Sequence, residues 1–133
     1  MRTEIPISEN GRRKLLAVLG ERGTKKLDQL NSEFQELARL YVAYPFEEIY
    51  ARPCLPLQTR ELIAISALAA LGTARPQLKS HIHGALHVGC SREQVKEVLL
   101  MMTVFAGFPA ALNAWDATRE VFEEIDHTEE GKK

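Results

Sequence analysis

The chain has 133 residues, 45% hydrophobic and 26% charged, the balance of a single soluble globular domain able to bury a core. Its 17 basic and 18 acidic residues leave a net charge of -1, which gives no electrostatic basis for binding nucleic acid or an anionic membrane. Two cysteines, Cys54 and Cys90, are too few for a secreted disulfide framework, and no apolar run reaches signal-peptide or membrane-spanning form, so a cytoplasmic protein is expected.

Ser8 is placed to cap a first helix carrying Leu15, Leu16, Val18 and Leu19, ending near Gly20 to Gly23; residues 1–24 read as a helical arm. A second helix follows Asn31 as its cap, with Phe34, Leu37, Ala38 and Tyr41 as the apolar stripe, and Pro45 ends or bends it. The prolines of PFEEIYARPCLP predict one helical turn near Phe46 to Tyr50 and then an extended linker.

A third helix runs from about Thr59 to a stop at Gly72, and a fourth from about Gln77 to Val88, closed by Gly89; together they predict a helical hairpin. Ser91 and Gln94 form a capping box for a fifth helix with the stripe Val95, Val98, Leu99 and Met102. Leu100, Met101 and Val104 lie off that stripe, which predicts cover from elsewhere in the fold or from another subunit. After a break at Gly107 and Pro109, a last helix carries Ala111, Leu112, Trp115, Val121 and Phe122, and residues 127–133 form a polar tail expected to be disordered. No segment alternates with a strand's period, so the fold class is all-α: one domain of about six helices around the hairpin.

The segment KSHIHGALHVGC gathers His81, His83, His87 and Cys90. On a helical wheel Leu78, Ile82, Ala85 and Leu86 set the apolar face, His81 flanks it, and His83 and His87 point away with Lys79, followed by Cys90 a turn later. His83 and His87 have the spacing of two zinc ligands, but the intervening Gly-Ala-Leu lacks the glutamate base of the zinc-protease helix and no third ligand stands near; no metal is expected. Cys90 near a helix start raises a thiol reading, set against a structural cysteine. Glu61 falls on the Ile65–Leu68 stripe of the preceding helix, so it faces inward and can meet His81 either as a structural hydrogen bond or as a proton-transfer pair. Arg52 and Arg60 flank the proline linker and offer forked donors for a carboxylate, against plain surface solvation.

The segments FEEIYARPCL, LQTRELIAISALAALG, QLKSHIHGALHVGCSREQVKEVLL and TVFAGFPAALNA together resemble the carboxymuconolactone decarboxylase family, which includes the alkylhydroperoxidase D-like proteins. The resemblance implies an all-α subunit in a ring-like homohexamer. In its peroxidase branch a glutamate precedes a Cys-x-x-Cys pair, a histidine and a glycine; here Glu61, His81 and Gly89 hold those places, but Ala74 and Gln77 replace the cysteines. The decarboxylase branch is the better match through Arg52-Pro53, Thr59-Arg60 and the stretch from Ala106, although Cys54 departs from the glycine expected after Arg-Pro. What this implies is cofactor-independent decarboxylation of 4-carboxymuconolactone or a related lactone acid in aromatic catabolism. His81 and Glu61 would be catalytic, and Arg52 and Arg60 would bind the substrate. The alternatives are a thiol peroxidase using Cys90 and a non-catalytic oligomeric binder of small acids.

Overall fold

A computed structural model describes residues 6–131. Among them are six α-helices and no strand: α1 (Glu9–Glu33), α2 (Gln35–Val42), a π-helical segment (Ala43–Ile49), α3 (Leu57–Leu71), α4 (Arg75–His87), α5 (Arg92–Phe105) and α6 (Phe108–Gly131). The all-α class is as expected, and the chain forms two compact units, Met1–Leu57 and Gln58–Lys133.

In the first unit the Ser8 side chain accepts a hydrogen bond from the Gly11 amide at 3.0 Å, capping α1 as anticipated. The predicted break occurs at Gly20, whose φ of 67° only glycine adopts without strain. The chain does not leave the helix there. It kinks and continues to Glu33, because Leu27 is fully buried in a core shared with Leu15, Val18, Ala38, Val42 and Phe46. Asn31 is therefore helical rather than a cap, and the break before α2 falls at Phe34, which has extended backbone. The buried side of α2 is Ala38 and Val42, whereas Phe34, Leu37 and Tyr41 of the predicted stripe are exposed. A Cβ on Gly11 would lie 2.5 Å from Val42 Cγ1 and 3.0 Å from its carbonyl oxygen, so α1 approaches α2 at a distance only glycine permits.

Pro45 neither stops the chain nor merely bends it. Proline has no N–H for the carbonyl four residues back, and the backbone widens here into π-helix, with the Tyr50 amide donating to the Pro45 carbonyl at 2.8 Å. This segment buries Phe46, against which Tyr41 packs edge-on and Tyr50 stacks.

In the second unit α3 and α4 form the expected antiparallel hairpin, joined by a short turn at Gly72 with φ 77°. The capping box at Ser91 and Gln94 starts α5, and Gly107, with φ 90°, turns the chain into α6. α6 packs along both α4 and α5. Its Ala111, Ala114 and Ala117 are buried, and small side chains allow that close approach. The core joins Ile65 and Ala69 of α3, Leu78, Ile82 and Ala85 of α4, Val95, Leu99 and Met102 of α5, and Val121 and Phe122 of α6. Two expectations for α6 change: Leu112 is exposed, and the helix runs on through Gly131, so the polar tail is helical up to that residue. Residues 132 and 133 lie outside the described residues.

Candidate functional site

Glu61, Ile65 and Ala69 form the buried stripe of α3, and α4 returns alongside to bring His81 beside the first of them. His81 Nδ1 lies 2.9 Å from Glu61 Oε2. The Glu61 side chain is wholly buried, at 0% exposed, whereas 18% of the His81 side chain reaches the surface. A buried carboxylate persists only where hydrogen bonds or charges compensate its lost hydration, and the imidazole supplies one such partner. An ionised carboxylate can only accept, so opposite one the His81 Nδ1–H donates, and Nε2 is the ring nitrogen not used in this bond.

Two residues on, His83 makes a pair of similar length and different setting. Its Nε2 is 2.8 Å from Glu124 Oε2 on α6, and Lys79 Nζ is 2.6 Å from the other oxygen of the same carboxylate. Lys79 also reaches Glu120 at 3.7 Å, and Arg75 binds Glu120. Arg75, Lys79 and His83 thus form a ladder with four-residue steps against Glu120 and Glu124. Sequence reasoning missed these acidic partners. Their matching four-residue spacing was the available signal, but it becomes readable only once α4 and α6 are known to lie side by side. His87 is exposed. A polar cleft of ≈ 450 Å³ lined by His83, His87, Cys90, Arg92 and Glu129 occupies this side. Among the described residues no set of three or more His, Cys, Asp or Glu converges as metal ligands.

Cys90 lines this cleft with His83 and His87, the side on which the helical wheel placed it, but it is not a surface thiol. It is buried at the edge of the core, and its Sγ–H donates to the Gln58 carbonyl oxygen at 3.6 Å. The reason is Gly89: its φ of 103° reverses the chain, so helical phase does not carry past it. Burial pushes the Cys90 thiol above its ordinary range, and the negative charge of Glu61 adds to that. The thiolate is the nucleophile in thiol chemistry, so this environment works against the redox alternative. Cys54 is exposed, and neither cysteine forms a disulfide. Arg52, exposed after the π-helical segment, belongs to the first unit, and Arg60, half-buried on α3, to the second; each already has an interaction partner.

The sequence pattern of the carboxymuconolactone decarboxylase family matches residues 35–120, which include Glu61, His81 and both arginines. The chain belongs to this family. The 4-carboxymuconolactone decarboxylase of Acinetobacter baylyi is 32% identical over 109 residues, covering 81% of this chain and 81% of the relative. An uncharacterized 15.0 kDa protein of Paracoccus denitrificans is 32% identical over 82 residues, 61% of each chain. Peroxisomal protein 2 of Saccharomyces cerevisiae is 29% identical over 91 residues, 68% of this chain and 32% of the relative. The family assignment agrees with the all-α fold. No helix among the described residues is long and apolar enough to cross a membrane.

Proposed function

We propose that this family member is a cofactor-independent decarboxylase acting on 4-carboxymuconolactone or a closely related lactone acid. The observation that carries the reading is the Glu61–His81 pair, a fully buried carboxylate bonded to a histidine that reaches the surface. The likeness to the Acinetobacter decarboxylase over most of both chains supports it.

In the proposed reaction the bond to the departing carboxylate breaks and its electron pair enters the unsaturated lactone as a dienolate. Carbon dioxide leaves, and one proton is returned to carbon to give the enol-lactone. His81 delivers that proton from Nε2. Glu61 holds the ring and stabilises the imidazolium before transfer, and Arg60, in the same unit, holds a substrate carboxylate through its forked donors.

We also assign the exposed apolar side of α5 and α6 to contact between copies of the chain in a homohexamer. Leu100, Val104, Phe105, Phe108 and Leu112 are all more than half exposed, beside an apolar groove of ≈ 430 Å³. A reducing cytoplasm suits two thiols that form no disulfide. The test of function is a direct turnover assay: purified protein with 4-carboxymuconolactone, following carbon dioxide release and identifying the product. Release with formation of the enol-lactone is expected. Tight binding without release would leave a binding protein instead.

A further inference from the structure

The α3–α4 hairpin is covalently closed only at the Gly72 turn, while Glu61 and His81 face each other towards its open end. At that end two hydrogen bonds cross between the helices in opposite senses. Gln58 Nε2, one turn before Glu61, donates to the Val88 carbonyl oxygen at 2.9 Å, and the Cys90 thiol donates to the Gln58 carbonyl oxygen at 3.6 Å.

The local geometry of α4 prepares this meeting. The Cys90 amide bonds the Ala85 carbonyl at 2.9 Å and the Gly89 amide bonds that of Leu86 at 3.2 Å, the two bonds of a Schellman turn. Such a turn leaves the carbonyl of Val88 without an intrahelical donor, and Gln58 supplies one. It also swings Cys90 inward under α3. A Cβ on Gly89 would sit 3.8 Å from Gln58 Nε2, so the clasp closes over a residue with no side chain.

We propose that Gln58 is a positioning residue for the Glu61–His81 pair. Its side chain fastens the open end of the hairpin and fixes the register at which carboxylate and imidazole meet, and the Cys90 thiol is the second half of that clasp. This rests on the assignment of Glu61 and His81 as the reacting pair. An exposed amide hydrogen bond adds only about 1 kcal/mol to stability. Its effect on the reaction is larger, because a shift of a fraction of an ångström in a proton-transfer pair alters rate steeply.

The test uses the full chain in a Cys54→Ser background, so that Cys90 is the one reacting thiol. Gln58→Met keeps the side-chain length and removes the donor, and Gln58→Lys restores a donor of similar reach. In Gln58→Met, kcat is expected to fall about tenfold at unchanged KM. Modification of Cys90 by a disulfide reagent should quicken about fivefold. Tm should move by no more than about 4 °C. Gln58→Lys should recover most of both. Unchanged Cys90 reactivity in Gln58→Met overturns the clasp whatever the activity does. Faster Cys90 modification with unchanged kcat overturns the positioning role, as does a Gln58→Lys protein as slow as Gln58→Met. If the parent protein proves inactive on the lactone, the failure lies in the functional reading, and the register is then read from the His81 Nδ1 proton by NMR. Faster exchange of that proton in Gln58→Met supports the proposal, and an unchanged exchange rate overturns it.

Discussion

Two histidines on one helix, two residues apart, each meet a glutamate at almost the same distance, 2.9 Å for His81 and 2.8 Å for His83. What separates them is the carboxylate. Glu61 is wholly buried, whereas Glu124 is 38% exposed and already shared with Lys79. A buried carboxylate acts on its imidazole at low effective dielectric, while an exposed one is screened by water and divided between two cations. Contact distance therefore says little about a His–Glu pair until the setting of the acid is known.

The largest expected effect follows from breaking the inner pair. Glu61→Gln keeps a side-chain oxygen to accept the Nδ1 proton but removes the charge that stabilises the imidazolium. Steady-state assay should find kcat lower by about 100-fold. The burial behind that difference is also visible at Cys90, whose thiol is held up by the same surroundings. In alkylation at pH 8, Cys54 should react at least about tenfold faster than Cys90. For Cys90 the sign is that of a raised acid: its contribution to stability is complete below the thiol's ordinary pKa and is lost as pH rises above it.

Breaking the outer pair should do little. Glu124→Gln is expected to leave kcat within about twofold and to change stability in urea by less than about 1 kcal/mol, since the ladder is half-exposed. The smallest effect belongs to Arg92, whose paired donors hold the Asp126 carboxyl below its ordinary range. A depressed carboxylate contributes stability above about pH 4 and loses it as pH falls further. The Tm difference between the parent and Arg92→Met should therefore shrink on acidification through that range.

Much of the second unit was legible in the sequence because its punctuation is local. Gly72, the Ser91–Gln94 box and Gly107 act on their own neighbours, and the phase of α3 and α4 placed Glu61 and His81 together. The first unit was less legible. Continuing α1 through the Gly20 kink is favoured by Leu27 reaching a core built from residues far along the chain, and at Pro45 the missing N–H marks a disturbed helix but does not by itself tell a widened turn that buries Phe46 from a stop. Within the site, the burial of Cys90 and its bond to Gln58 were not foreseen, because helical phase does not carry across a glycine with positive φ. Glu124 was missed because it pairs with residues 41 and 45 positions away.

The most direct test compares His81→Gln with His83→Gln in the carbon dioxide release assay, each shown to keep the parent's fold and assembly. His81→Gln is expected to lower kcat by about 100-fold or more, with His83→Gln close to the parent. Equal rates for the two variants, or an undiminished rate in His81→Gln, would contradict the assignment of proton transfer to the inner pair.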